Sequence, residues 1–261
     1  MKLFKKIGIP IISILGVIAL WQILSFTLNS EIVAPSVKNI FIEFIGLFST
    51  KNFFESIFLT LWRAVLSFLI SLVLATVCAI FANMSETVER LFYPITVILR
   101  AMPTMSAILL CLIWLKSSKS PIAISFIVVF PMIYSAVLSA LKSQDEQLLQ
   151  MAKVYGVKRG TVLTKLILPQ VLLSLTPQLI STFSFNIKLT VAGEALAYTK
   201  LSLGVIMHGA QTAFETARLL ALTVVAIGLS FCLEIILKGI FNLSKRIIYG
   251  YNRKRAIQKI R

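Results

Sequence analysis

Long apolar runs recur along the whole sequence, and they restrict its fold more than any other feature. Each run has about 20 residues with few charges, enough for a helix to cross roughly 30 Å of hydrocarbon. Hydrophobic residues make up 58% of the 261 residues and the mean hydropathy is +0.92, above the roughly half-apolar composition of soluble domains. The pattern predicts an all-α, polytopic membrane helix bundle with about six transmembrane helices, at about 7–28, 62–83, 91–115, 121–141, 167–192 and 219–241.

The stretches between these runs are short, so we expect a single transmembrane domain over 1–261. It would contain a first helix at about 7–28, a core bundle at about 57–245 and a polar element at about 143–168. The N-terminus starts like a signal peptide, with Lys2, Lys5 and Lys6 before the apolar run. The run continues to about Leu28 without a small-x-small cleavage site, which favours a retained helix.

Basic residues are distributed unevenly between the two sides of the predicted bundle. With the N-terminus in the cytoplasm, the inner segments contain 17 Lys and Arg residues and the outer segments six. The positive-inside rule therefore predicts a multi-pass protein of the cell membrane with both termini in the cytoplasm. The same rule accounts for the net charge of +16, so we expect a lipid bilayer and no nucleic acid as partner.

Two outer segments are expected to form ordered structure rather than simple linkers. Apolar residues at helical spacing after Ser36 predict an amphipathic helix at 37–48, which either lies on the membrane surface or packs flat on the bundle. The segment 192–218 is too broken to span and too apolar to lie free in water, so it is expected to fold back over the mouth of the bundle. His208 within it is expected to be a hydrogen-bonded structural residue.

The polar element interrupts the apolar chain in the middle. Ser143 to Glu146 reads as a capping box and predicts a helix start, while Gly156 is placed to end that helix in a left-handed conformation. A second short helix is expected to follow, and Pro169 suits the start of the next span. Such an element between two membrane helices is shaped to transmit motion from a soluble partner, although an ordinary interfacial loop remains the alternative.

Ala152, Gly156, Leu166 and Leu168-Pro169 reproduce a known spacing. It resembles the cytoplasmic signature of the inner-membrane permeases of type I binding-protein-dependent ABC importers: Glu-Ala-Ala, three residues, Gly, nine residues, Ile, one residue, Leu-Pro. The chain departs from it at Gln150, Met151 and Leu166. The missing Glu removes one possible charge partner from the docking surface.

Other short patterns resemble the nitrate, sulfonate, taurine and thiamine-precursor branch of the same family, in order and at about the expected distances. They are Val33-Ala34-Pro35-Ser36, Thr60-Leu61-Trp62-Arg63, Arg100-Ala101-Met102-Pro103, Ala192-Gly193-Glu194 and Leu203-Gly204.

The resemblance implies a subunit that moves a solute by alternating access without being an enzyme itself. Its implied partners are cytoplasmic ABC ATPase subunits, a second permease copy or a related permease, and an external solute-binding protein. ATP and Mg would be bound by the ATPase, in agreement with the lack of a GxxxxGK[ST] loop in this chain. The residues implied in ATPase coupling are Gln150, Met151, Ala152, Tyr155, Gly156, Leu168 and Pro169.

Polar residues in the fifth span recur every three or four positions and share one helix face. They are Ser174, Pro177, Gln178, Ser181, Ser184 and Lys188. Lipid tolerates such a face poorly, so it is expected to line the substrate pathway, to form the subunit contact or to make helix–helix hydrogen bonds. Glu194, at the end of this span, is a further pathway candidate.

The remaining charges inside the spans have simpler interpretations. Pro103 predicts a break in the third span and is itself a candidate pathway residue, and Arg100 near it either lines the pathway or binds backbone carbonyls. Arg63 is expected to reach the outer headgroups, and Glu234 to pair with Lys238 four residues later.

Two other classes of protein fit less well. A secondary transporter or channel would need buried carboxylates, and only Glu234 lies well inside a predicted span. A membrane enzyme would need a nucleophile, base or metal cluster, yet the chain has one histidine, no grouped acids and three cysteines, Cys78, Cys111 and Cys232, without metal-ligand spacing. For an importer, a small anion or a thiamine- or flavin-type vitamin precursor are both compatible solutes.

Overall fold

A computed structural model describes the backbone of residues 2–258 and the side chains of residues 8, 9 and 11–241. Lys2, Lys5, Lys6 and the basic residues from 242 onward, which entered the orientation count, lie outside the described side chains. Every regular element in the described backbone is helical. The elements are α1 (Lys2–Leu28), α2 (Val37–Leu47), α3 (Phe53–Met84), α4 (Glu86–Ala101), α5 (Thr104–Trp114), α6 (Ser120–Lys142), α7 (Glu146–Val154), α8 (Arg159–Val162), a π-helical turn (Leu163–Ile167), α9 (Leu168–Ala197), α10 (Leu203–Thr212) and α11 (Thr216–Gln258).

Five of the six predicted spans are confirmed as helices long and apolar enough to cross a membrane. The third predicted span corresponds to the bent pair α4 and α5, which is apolar and long enough only when the two helices are taken together. The two axes of this pair differ by 99°. Because Pro103 disfavours helix in the residue before it, Met102 is extended, with ψ 123°, and the predicted break lies there.

Helix α3 is built to pack closely. Its buried face consists almost entirely of small residues at helical spacing: Ser56, Thr60, Ala64, Ser67, Ser71, Ala75, Ala79 and Ala82. Small side chains let helix backbones approach each other inside a membrane, where apolar burial alone gives little driving force. Helices α6 and α9 pack on this face and form the main core with it. Phe68 of α3 meets Phe183 of α9 edge to face, with ring centroids 4.9 Å apart.

A second core lies at the opposite end of the bundle from α7. It joins α2, α10 and the first turns of α3 and α11 around Leu47, Phe53, Leu203 and Leu222. We call this the outer end and the end with α7 the inner end, after the predicted orientation. The predicted amphipathic helix is therefore present as α2, and it packs against α11, whereas its Phe41 and Ile45 stay exposed.

The segment 192–218 folds back on the bundle as predicted. Helix α10 packs against α9, α11 and α3 at the outer end. His208 on α10 makes the expected hydrogen bond, 3.0 Å between its Nε2 and the hydroxyl of Tyr198.

Candidate functional site

The helix predicted in the polar element is present as α7, but its N-terminal cap is not the predicted one. Asp145 caps it, since its Oδ1 accepts from the backbone N–H groups of Gln147 and Leu148 at 2.9 and 3.3 Å. Ser143 is instead the C-cap of α6, and its N–H bonds the carbonyl of Ser139. The capping box at Ser143–Glu146 was therefore wrong, because α6 continues to Lys142 and the chain becomes extended only at Asp145.

The C-terminal end of α7 follows the prediction. Gly156 has φ 64°, a left-handed conformation that a residue with a Cβ adopts only at a cost. Its N–H bonds the carbonyl of Lys153 at 3.1 Å, and the N–H of Val157 bonds the carbonyl of Ala152 at 2.9 Å. These two bonds make a Schellman motif, so α7 is fixed at both ends.

The surface of α7 is exposed and partly apolar. Met151, Val154 and Tyr155 are 52%, 84% and 79% exposed, and no residue of α7 is buried in the described part of the chain. Gln150 is exposed as well, and Ala152 is half-buried. A short, firmly capped helix with uncovered apolar side chains has the features of a docking surface.

Leu168 and Pro169 lie on a different element from α7. Pro169 lies in the first turn of α9, as predicted, but helical structure begins already at Arg159 and continues through the π-helical turn into α9. In the turn, the N–H of Leu168 bonds the carbonyl of Leu163 five residues back. The wider π turn directly before Pro169 accommodates the missing N–H and the bulk of the ring.

The predicted polar face of α9 is uncovered in the single chain. Ser174, Pro177, Gln178, Ser181 and Lys188 are exposed and Ser184 is half-buried. The opposite face of the same helix is buried against α3 and α6. We refer to these six residues as the polar face of α9.

Two adjoining cavities open at the inner end of this face. The first, of about 520 Å³, lies between Arg100, Ser174 and Gln178 on one side and α6 on the other. The second, of about 570 Å³, shares Arg100 and extends to the ion pair between Lys142 Nζ and Glu89 Oε1, which are 2.6 Å apart. Both are also lined by Ser135 and Ser139 of α6 and by its C-cap Ser143. The sequence analysis did not identify these three serines as a group, although their four-residue spacing was visible.

Arg100 makes the contact with a backbone carbonyl that one of its two predicted roles requires, and its role in a pathway stays a prediction. It lines these two cavities, and its Nη2 donates to the carbonyl oxygen of Pro131 at 3.1 Å. Pro103, which stands next to the bend between α4 and α5, lines none of the four cavities described here.

A further cavity, of about 500 Å³, lies between α9, α10 and α11 at the outer end. Lys188, His208 and Gln211 are among its polar lining residues. We refer to it as the Lys188 cavity. A fourth cavity, of about 540 Å³ between α1, α2 and α11, is lined by apolar residues and Thr223.

Glu194, predicted as a pathway residue, lines none of the four cavities. Its side chain is 0% exposed, and its Oε1 is 2.7 Å from Nη1 of Arg63. Its Oε2 accepts from the hydroxyl of Thr60 at 2.8 Å and from the N–H of Gly204 at 3.4 Å. The N–H of Leu203 in turn donates to the hydroxyl oxygen of Thr60 at 3.0 Å.

This cluster of Thr60, Arg63, Glu194, Leu203 and Gly204, the buried clamp, joins α3, α9 and α10. It corrects two interpretations. Arg63, only 12% exposed, does not reach out to headgroups, because the buried carboxylate holds it. Besides Glu234, Glu194 is a second acidic residue inside a span, and Arg63 neutralises its charge. Glu234 itself pairs with Lys238 at 2.5 Å, as predicted.

No group of three or more potential metal ligands exists among the described residues. Cys111 is buried, Cys78 half-buried and Cys232 exposed.

The chain matches known transport proteins. A family model described as binding-protein-dependent transport system inner membrane component matches residues 69–243. A protein named as an ABC transporter permease in Methanocaldococcus jannaschii is 25% identical over 173 residues, 64% of this chain and 63% of that protein. A protein named as the aliphatic sulfonates transport permease SsuC in Bacillus subtilis is 26% identical over 158 residues, 60% of this chain and 57% of that protein. The matches thus span less than two thirds of either relative.

Solved structures show the same fold. A crystal structure of an amino acid ABC transporter superimposes with a TM-score of 0.60 at 15% identity, covering 79% of this chain and 96% of that chain. An inward-facing structure of the MetNI methionine ABC transporter gives 0.57 at 16% identity, covering 76% and 96%. The residues matched by the family model include α7, the polar face of α9 and the Lys188 cavity.

Proposed function

Because this chain belongs to the family of inner membrane components of binding-protein-dependent transport systems, we propose that it is the permease subunit of an ATP-driven importer. The family is one of transport proteins and not of enzymes. In this proposal the chain forms the translocation pathway, works by alternating access, and lies in the cell membrane with both termini in the cytoplasm.

The observation that carries the proposal is the geometry of α7. Asp145 fixes one end of this helix and the Schellman motif at Gly156 the other, while Met151, Val154 and Tyr155 stay uncovered. A surface loop without a partner needs neither the two caps nor the apolar exposure. We therefore assign this surface, including Gln150, to docking on a cytoplasmic ATPase subunit.

The connections of α7 explain how docking would reach the pathway. Helix α6 ends at Lys142, and three residues separate it from α7. On the other side of α7, the helical stretch that starts at Arg159 continues into α9. Both α6 and α9 line the cavity of about 520 Å³ that also includes Arg100. A displacement of α7 by the ATPase would thus move two pathway walls together, with Leu168 and Pro169 at the junction to α9.

The partners in this proposal are two ABC ATPase subunits that bind ATP and Mg, an external solute-binding protein, and a second permease. A second copy of this chain or a related permease both fit the uncovered polar face of α9.

Substitutions at Gly156 test the docking assignment. Gly156→Val places a β-branched residue at φ 64°, whereas Gly156→Asn keeps that conformation accessible. Nothing lies within 4 Å of a Cβ added at either Gly156 or Gly160, so neither valine would clash within the chain. Gly160→Val is therefore a matched control for the added side chain. We expect an ATPase subunit to co-purify from native membranes with the wild type, G156N and G160V, and to be lost with G156V. If no ATPase accompanies even the wild type, an ATP-independent carrier becomes the better model.

We further propose that the solute is a small anion of the sulfonate type. Two observations support this choice: Arg100 and Lys188 line cavities at the two ends of the polar face, and a sulfonate permease is among the relatives. Uptake of radiolabelled ethanesulfonate should be much faster in cells that produce the chain than in cells that lack it. Uptake of thiamine precursors instead of ethanesulfonate would favour the vitamin alternative.

A further inference from the structure

We propose that Lys188 binds the anionic group of the solute, in the cavity between α9, α10 and α11. This inference rests on the proposed importer function and adds to it one residue and the ligand chemistry of one site.

The Lys188 cavity has the size and the walls of a small-molecule site. Its volume of about 500 Å³ falls in the range of ligand pockets. Val191, Ala195 and Leu219 contribute to its apolar walls. Lys188 is nine residues before the end of α9, so its Cα lies about 14 Å inside the outer end of that helix. The site is therefore within the membrane-spanning part of the bundle.

The polar groups that remain available in this cavity suit an anion. The hydroxyls of Thr223 and Ser230 donate to carbonyls of their own helix, at Leu219 and Ala226. The lysine ammonium has only donors, and the amide of Gln211 has no side-chain partner in the described part of the chain. A group with several acceptor oxygens, such as a sulfonate, would satisfy these donors.

His208 can add a polar contact to the same ligand. One of its ring nitrogens, Nε2, is engaged with the hydroxyl of Tyr198. The other ring nitrogen remains for a ligand, and the ring is already held in place by this bond and by its contact with the Tyr198 ring, 4.5 Å between centroids.

Lys188 has no counter-charge within the described part of the chain. The clamp neutralises Arg63, Glu234 neutralises Lys238, and Arg100 donates to a backbone carbonyl. For Lys188, in contrast, the described residues provide neither an ion pair nor a hydrogen bond. An uncompensated lysine inside a span is costly, about 2.5–3.5 kcal/mol on insertion scales, so a negatively charged partner from outside the chain would stabilise it.

Few acidic residues of this chain lie deep in the spans. The chain has ten acidic residues, of which Glu194 and Glu234 lie deep in the spans and are already paired. The other eight lie in α2, in connecting segments or within the first four residues of a helix: Glu31, Glu43, Glu55, Glu86, Glu89, Asp145, Glu146 and Glu215. Apart from acidic residues of the outer segments, a bound anion is therefore the available source of negative charge for Lys188 in a homodimer.

Ligand protection of the purified transporter tests this site. The chain, with whatever subunits co-purify, is placed in lipid nanodiscs and its melting temperature is measured with sodium ethanesulfonate, sulfate or nitrate against chloride at constant ionic strength. Lys188→Arg keeps the charge, Lys188→Met removes it, and Lys116→Met removes an exposed lysine from an outer segment as a control. We expect at least one anion to stabilise the wild type, K188R and K116M. The concentration for half-maximal stabilisation should rise about tenfold or more in K188M, the loss of one charged hydrogen bond.

The outcomes distinguish a failure of the Lys188 site from a failure of the proposed importer function. Anion protection that is equal in K188M and wild type, or absent from both, overturns the proposal. Loss of a second permease subunit from K188M, without any anion effect, also overturns it and assigns Lys188 to the subunit contact. An anion effect that depends on Lys188 in a preparation without ATPase supports the site and contradicts the ATP-driven importer.

Discussion

Two other parts of the chain meet at the carboxylate of Glu194 on α9. Thr60 and Arg63 come from α3, and Gly204 comes from the start of α10, while the neighbouring Leu203 bonds the hydroxyl of Thr60. A buried ion pair of this kind is costly to desolvate, and removing one partner leaves the other charge without compensation. The clamp therefore fixes how α3, α9 and α10 meet rather than contributing a large net stability.

Glu194→Gln should destabilise the protein by about 3 kcal/mol, because Arg63 then remains buried without a counter-charge. Combining it with Arg63→Met should recover more than half of this loss, since no isolated charge is left. Thermal unfolding in detergent measures both effects, with Glu215→Gln, from an exposed ion pair, as the control. Equal melting temperatures for E194Q and E215Q would show that the clamp has no structural role.

Gly204 lets α10 approach the backbone of α9. A Cβ at this position would meet the carbonyl oxygen of Val191 and lie 2.6 Å from the backbone nitrogen of Ala195. Backbone cannot move away as a side-chain tip can, so Gly204→Ala should cost about 3 kcal/mol. Gly209→Ala on the same helix meets nothing within 4 Å and should be neutral or stabilising by up to about 1 kcal/mol. The difference between the two melting temperatures checks the close contact, and similar values would contradict it.

At the scale of the element, the N-terminal cap of α7 can be tested by comparing substitutions at Asp145 and Ser143. Asp145→Ala should weaken its first turn by about 1 kcal/mol, the usual contribution of an N-cap side chain. Amide hydrogen exchange in a peptide covering 144–152 should then become about fivefold faster. Ser143→Ala removes the hydroxyl that the sequence indicated as the cap, and should leave the exchange unchanged because that hydroxyl bonds Ala140 in α6. A larger effect from S143A than from D145A would restore the capping box.

The elements themselves were largely predictable because their signals are local. Apolar run length located the six spans, Pro103 located the break between α4 and α5, and Gly156 marked the end of α7. The sequence did not show whether Ser143 or Asp145 caps α7, because the answer depends on how far α6 continues. Neither was the pairing of Arg63 with Glu194, 131 residues apart, since only tertiary packing brings them together. The three short patterns of the clamp were visible in the sequence, but nothing local indicated that they form one cluster.

In the whole molecule, α9 separates two environments. One of its faces packs in the main core with α3 and α6, and the polar face stays uncovered between the Arg100 cavities and the Lys188 cavity. A bilayer would not tolerate this second face, so the assembled transporter has to cover it with protein or with water. The two alternatives differ in one observable property, the access of a water-soluble reagent to the middle of the face.

Ser181 lies near the middle of the polar face and is exposed in the single chain. In a background with Cys78, Cys111 and Cys232 replaced, Ser181→Cys should react with a membrane-impermeant maleimide in native vesicles, because a thiol needs water to ionise and react. Val73→Cys on the exposed apolar surface of α3 is the matched control and should stay unlabelled in lipid. For alternating access, labelling of S181C from the outer side should change at least several-fold when ATP is trapped on the complex. A cysteine that stays unlabelled in both states and forms a disulfide with its counterpart in a second copy would instead assign the polar face to the contact between subunits.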